Sequence, residues 1–588
     1  MTIRHRIDLT GHRRHRFAVR TEVPDAGPGT LFALPVWIPG SYMVREFAKH
    51  IVSLVATRGD RPVALERVDK ATWRVPASAV GAEPLVVVLE IHAFDTSVRA
   101  AFLDDRRGFW NHTSLCLRVA GREREPHAVA VAGVPDGWEL ATTLPRDPAG
   151  GAHDFLVAEG YDALCDHPVE AGRLQRLAFT AGGVPHEIAV GGAWPDFDGD
   201  RLARETRAIC ERAIAFWGVP APFERYLFLL NATEDSRGGL EHRASTALVA
   251  RRRDLPRVGV AAVSDGHGDV LGLIAHEYFH AWNVKRLAPR DFAALDYGRE
   301  NLTELLWFFE GFTSYYDDLL VLRSGAIDPA RYLKLLGATI SGVLGTPGRR
   351  VQSVAEASRD AWLKHYRPDE NTPNATVSYY TKGSLVALAL DLVLRREGRG
   401  TLDDVMRRLW SASGGGGAID EGDILSALEA VGGRSFAPEL AAFVHGIDEL
   451  PLQTLLASVG VAWSETPATV AQRLGLRVAE SALTGIKATH VLAGGVAEQA
   501  GFAPGDEILA VDGWRLRRLD DAERVASRDA ASEWLVGREQ RVVSLRLETV
   551  TWREAGAGAV ALGLAAKAEP GVLARREAWL GPAGGQPA

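Results

Sequence analysis

Apolar positions come in short runs over roughly the first 165 residues. Thr30–Ile38, Leu85–His92 and Ser114–Val119 are apolar, with β-branched and aromatic members, and Gly, Pro and Asp punctuate the gaps. That pattern reads as strands and turns. Around residue 200 the period changes. Within Arg201–Trp217, Leu202, Thr206, Ile209, Ala213 and Phe216 fall at three- and four-residue steps, which predicts an amphipathic helix. Helical patterns recur near 269–286, 302–323, 329–344, 378–397, 402–412 and 422–431, after a short β stretch at Tyr226–Asn231. Gly414–Gly417 reads as a loop inside this helical region, with Asp420 placed to cap the next helix. From Thr466 to about Leu547 short strand-like runs return, with turns at Gly505–Asp506 and Asp512–Gly513. The last thirty-odd residues are rich in Ala and Gly and show little pattern.

These changes divide the chain into four segments: a β-rich region at 1–170, a mostly helical one at 171–455, a small β-containing module at 466–550 and an Ala/Gly-rich tail at 551–588. The length of 588 residues suits three or four domains at about 150 residues each. With 46% hydrophobic and 24% charged residues, the composition is that of a globular protein and excludes disorder and collagen-like repeats. The formal charge of −8 offers no net positive field to nucleic acid. Cys116, Cys165 and Cys210 are far apart, which argues against a thiolate metal site or a redox pair. Free thiols suit a reducing compartment. Met1–Phe17 is basic, with no apolar stretch behind it. No apolar run reaches the length of about 18 residues that a membrane span needs. The expectation is a soluble, cytoplasmic protein.

The strongest chemical signal is His276-Glu277-Tyr278-Phe279-His280. On a helix the two histidines lie about 40° apart around the axis and about 6 Å apart along it, so both imidazoles point the same way. Imidazole is a good zinc ligand, and the intervening Glu277 is placed as a general base for water. A third ligand is needed. Arg286 stands where one class of zinc peptidases would have a histidine, so that class fails. Glu310 lies in the apolar stretch Leu305–Phe312 of a helix expected over Leu302–Leu322. A carboxylate among aromatics costs several kcal/mol unless it is paired or bound to metal. Glu300 and Glu304 have more polar neighbours and suit, at most, a supporting role behind the ligands.

His276–Arg286 followed by Trp307–Tyr316 resembles the M61 family of metallopeptidases, the glycyl aminopeptidases, which are relatives of the M1 aminopeptidases. The spacer of 29 residues from Ala281 to Phe309 is longer than in the M1 relatives and fits M61. Trp37–Tyr42 with Arg45, and Arg367–Asn371, extend the resemblance. It implies a multidomain α+β protein with an N-terminal β-sandwich-like domain, a thermolysin-like helical catalytic domain and a C-terminal PDZ domain. It also implies one zinc ion on His276, His280 and Glu310, with substrates bearing small first residues, Gly or Ala.

Two further sites follow from the resemblance. Gly238-Gly239-Leu240-Glu241-His242 is similar to the exopeptidase motif of the M1 enzymes, in which the Glu binds the substrate's free α-amino group. That motif makes Gly238, Gly239 and Glu241 substrate-binding. Read without it, the segment is a turn entering a strand. Tyr379-Tyr380-Thr381-Lys382-Gly383 resembles the segment whose Tyr stabilises the oxyanion; Tyr380 is the match and Tyr379 the fallback. A phenol stays protonated near neutral pH and can donate to a developing oxyanion. Arg473–Leu476, Gly494–Gly501 and Pro504–Leu509 follow the order of a PDZ domain, whose groove takes a peptide C-terminus as an added strand; a groove used only as a lid or packing module is the alternative. His112, His167 and His242 read as polar or core histidines. An endopeptidase of the same chemistry and a non-enzymatic PDZ adaptor are the rival readings.

Overall fold

The computed structural model describes residues 2–581 apart from 152, 158, 219 and 529. The described residues form two compact units. One comprises 1–301, 316–326 and 410–419, and the other 302–315, 327–409 and 420–588.

The first unit begins with a seven-stranded sheet. Its order is Asp154–Val157, His127–Ala132, Ile3–Asp8, Arg16–Val23, Leu85–His92, Ile51–Arg58 and Arg61–Val63. Leu85–His92 alternates buried and more exposed positions along its whole length, as the period-two pattern requires. Thr30–Ile38 contributes only Leu31–Ala33 to a strand. Ser114–Val119 departs further from its pattern: one turn of 3-10 helix covers His112–Ser114, and only Arg118–Val119 is a strand. Apolar residues there are buried by packing, not by pairing, which hydrophobicity alone does not distinguish. Trp110, Leu115, Cys116 and Leu117 join Phe17, Val19 and Leu89 in one core.

A five-stranded sheet follows, in the order Gln175–Ala181, Val184–Gly191, Tyr226–Thr233, Ser245–Arg251 and Gly238–Glu241. The last is an edge strand, antiparallel to its neighbour, with Glu241 opposite Thr246. The helix Asp265–Phe279 packs against this sheet. Ser264 caps it by accepting from the His267 N–H at 3.1 Å, and Tyr278 sits among Tyr226, Phe228 and Trp282.

In the second unit, the helix expected over 302–322 begins later, at Leu306. Glu310 keeps helical φ −92° and ψ −43°, its N–H donating to the Leu306 carbonyl and its carbonyl accepting from the Ser314 N–H, each at 2.8 Å. Leu306–Phe309 and Gly311–Arg323 are helical, and Glu310 stands at the junction. The helix Thr381–Glu397 crosses closely here. A side chain on Gly311 would meet the Gly383 Cα at 2.6 Å, and one on Gly383 would meet the Trp307 carbonyl oxygen at 2.7 Å. The two glycines permit a backbone-to-backbone approach that other residues would prevent.

Toward the C-terminus a smaller sheet runs in the order Leu476–Ser481, Gly485–Val491, Glu507–Val511, Ser532–Arg538 and Arg541–Leu547. The Ala/Gly-rich stretch after it is more ordered than its composition suggests. Val560–Leu564 pairs antiparallel with Val461–Glu465, and the Val560 N–H donates to Ser341 Oγ at 2.8 Å. Pro570–Leu580 is a helix that buries Trp579. Trp579 Nε1 donates to Tyr315 Oη at 3.0 Å, and Tyr315 donates to the fully buried Asp391 at 2.6 Å. The last seven residues of the tail lie outside the described residues.

Candidate metal centre and active site

His276 sits one residue before Glu277 near the end of its helix, and His280 is the residue that closes it. His276 Nδ1 is 3.1 Å from Asp317 Oδ2, and His280 Nδ1 is 2.8 Å from the Asn283 carbonyl oxygen. Neither partner can donate, so each ring carries its proton on Nδ1 and presents a lone pair on Nε2. The two Nε2 atoms face each other at 3.1 Å. Two acceptors at that distance repel unless a cation lies beside both. Two nitrogens at about 2.05 Å from a tetrahedral ion would stand roughly 3.3 Å apart.

The ligand atoms of His276, His280 and Glu310 all lie within 4.8 Å of one another. Two imidazoles and a carboxylate match the donor set of a catalytic zinc site that keeps a fourth position open. The residues therefore fit a divalent ion. Among the described residues no other group of His, Cys, Asp and Glu gathers in this way.

Residue pattern alone did not identify two supports of this centre. Asp317 lies seven residues beyond Glu310, two turns along and on the same helix face, a spacing that could have flagged it. Of the carboxylates expected in that supporting role, Glu304 is exposed and pairs with Arg359 at 3.2 Å, and Glu300 is exposed. Behind His280, Val284 adopts φ 107°, a conformation strained for a β-branched residue. Its N–H donates to the Leu287 carbonyl at 2.8 Å, locking the turn that offers the Asn283 carbonyl to His280.

Glu277 is buried and lies against the edge strand. A side chain on Gly239 would collide with the Glu277 carboxylate, so this glycine leaves room for the acid. Gly238 approaches Arg99, whose Nη2 donates to the Gly239 carbonyl at 3.1 Å. Glu241, at the end of the same strand, is 4% exposed. It borders a cavity of about 440 Å3 together with Trp37, Gly40, Tyr42, Asp166 and Lys285. Burial works against the charge on Asp166, but Lys285 at 2.7 Å and His242 more than offset it and hold the carboxyl well below its usual range.

Tyr380 and Tyr379 stack on each other, and both rings lie tilted against His365. Tyr379 is fully buried, whereas Tyr380 is partly exposed and its hydroxyl lies 2.8 Å from that of Tyr366. Arg367–Asn371 is exposed. Within it, Asp369 organises the turn into the helix Thr372–Ala375 by accepting from the Asn371 N–H at 2.9 Å.

A family model for M61 glycyl aminopeptidases matches residues 269–386, one for the M61 N-terminal domain matches 4–173, and one for the PDZ domain matches 488–538. Among solved structures, an aminopeptidase N family protein from Idiomarina loihiensis is 33% identical. The alignment covers 99% of this chain and 100% of that one, with a TM-score of 0.91. An M1 zinc metallopeptidase from Deinococcus radiodurans is 13% identical over 77% of this chain and 94% of its own, with a TM-score of 0.46. No curated protein matches the chain. No described helix is long and apolar enough to cross a membrane. With its N-terminal and peptidase regions both matched, and a relative alike over nearly its whole length, the chain belongs to the M61 glycyl aminopeptidase family of peptidases.

Proposed function

We propose that the protein is a zinc-dependent aminopeptidase that removes the first residue from peptides with a free N-terminus, with a preference for Gly and Ala. The observation that carries this reading is the pair of Nε2 lone pairs facing each other at 3.1 Å, with Glu310 in the same cluster. His276, His280 and Glu310 would hold the ion. When bound, zinc supplies Lewis acidity, polarising the scissile carbonyl and acidifying water.

The remaining chemistry belongs to side chains. Glu241 receives the substrate ammonium at the end of the edge strand. That strand supports register as well, because an edge strand can pair with an extended peptide. Glu277 takes a proton from the attacking water and delivers it to the leaving amine. Tyr380 donates its hydroxyl to the oxyanion; its partial exposure beside the buried Tyr379 favours it for that role. The PDZ domain supports binding of a peptide C-terminus in its groove.

The test is hydrolysis of a panel of aminoacyl amides, each with and without an N-acetyl cap, in the presence and absence of a chelator. Cleavage of the uncapped Gly and Ala members, abolished by chelation, is the expected result. Equal cleavage of capped and uncapped members would instead identify an endopeptidase.

A further inference from the structure

We propose that Gly40, in the turn Ile38–Ser41, is a positioning residue that sets where the Glu241 carboxylate lies; the inference rests on Glu241 being the ammonium anchor. The sequence Ile38-Pro39-Gly40-Ser41 has Pro and Gly at the central positions of a type II turn. The turn is formed: the Ser41 N–H donates to the Ile38 carbonyl at 3.1 Å, and Gly40 has φ 87°. Its tip meets an acid 201 positions further along the chain. A Cβ on Gly40 would lie 2.5 and 2.6 Å from the two carboxylate oxygens of Glu241, closer than any real contact.

Both backbones are held, so the carboxylate is what would move. The turn is fixed from behind: Trp37 Nε1 donates to the Asp296 carbonyl at 2.8 Å, the Val36 N–H to the Tyr297 carbonyl at 2.9 Å, and Arg45 Nη2 to Ser41 Oγ at 2.8 Å. Glu241 is fixed by its pairing with Thr246. The side-chain torsions of Glu241 are the softest freedom left. Any side chain at position 40 turns the acid away from the place where it faces a substrate amine. This gives the Trp37–Tyr42 segment a purpose in catalysis without any contact with the reacting bond.

The experiment measures the affinity of the metal-loaded enzyme for two chelating probes, glycine hydroxamate and acetohydroxamate, which differ in the amino group. Gly40→Ala weakens glycine hydroxamate by about tenfold or more, the scale of a lost charged hydrogen bond, and leaves acetohydroxamate within about twofold. Gly40→Asn does the same. Asn is tolerated at this turn position, so it serves where Gly40→Ala fails to fold. Glu241→Gln is the reference. If it weakens glycine hydroxamate and neither Gly40 variant does, the positioning role is refuted and the anchor stands. Equal weakening of both probes by the Gly40 variants also refutes it, because the turn would then be merely structural. If Glu241→Gln has no effect, the anchor reading falls and this proposal falls with it.

Discussion

Replacing Asp317 by Ala tests the metal centre without touching a ligand. Asp317 Oδ2 accepts from His276 Nδ1 at 3.1 Å, and both side chains are largely shielded, at 18% and 14% exposure. The carboxylate fixes the ring's tautomer and orientation and makes Nε2 a better donor. Removing such a partner typically weakens metal binding by 10- to 100-fold, about 1.4–2.7 kcal/mol. Because the pair retains some solvent contact, water can replace part of the lost acceptor, so the lower half of that range is expected. Asp317→Asn keeps an acceptor oxygen but no charge, and should lose less. The assay is competition for zinc against a chromophoric chelator near neutral pH. An affinity within twofold of the native value for Asp317→Ala would refute the argument that this hydrogen bond holds the centre together.

Three other substitutions probe separate parts of the account. Glu277→Gln should retain zinc by metal analysis yet lose about 10²–10⁴-fold in kcat; a kcat near native would remove Glu277 from its role as base. Trp579→Ala should destabilise the 570–580 helix by about 3–5 kcal/mol, seen as amide exchange there faster by about two to four orders of magnitude; unchanged exchange would mean that the indole does not secure the helix. The third concerns pH. Burial lowers His112 to about 3 and His127 to about 4, from an ordinary 6.5. Below about 6.5 the unfolded chain therefore binds protons that the folded chain refuses. Stability contributed by the neutral rings is complete above that pH and is lost as pH falls toward 4, at about 1.4 kcal/mol per pH unit for each histidine. Exchange of the strand His127–Ala132 measured between pH 4 and 6.5 should show this slope reduced by about one proton in His112→Gln, and an unaltered slope would contradict it.

The arrangement of the candidate site was legible where it depends on one element. His276, Glu277 and His280 share a helix, so their spacing gives their common direction. The close Gly311–Gly383 approach was not legible, because it joins segments about seventy residues apart. The same applies to Gly239 against Glu277 and Gly40 against Glu241, where only the tertiary arrangement brings a missing side chain up to an acid. Composition misled in the tail. Ala and Gly around 551–570 hid a strand, although Pro570 at the start and Gly581 at the end of the last helix mark its bounds in the sequence.

Pairing of Val461–Glu465 with Val560–Leu564 makes the PDZ module, in topological terms, the loop of a hairpin. Roughly ninety residues leave and return at neighbouring rungs. Held as a random coil, a loop of that length would oppose the pairing by about 4 kcal/mol of closure entropy; a folded module keeps its own ends together and removes most of that cost. The strand closing this hairpin also leads into the Trp579 helix, so a mutation that melts the module restores the closure cost and weakens the pairing that precedes the chain's final helix.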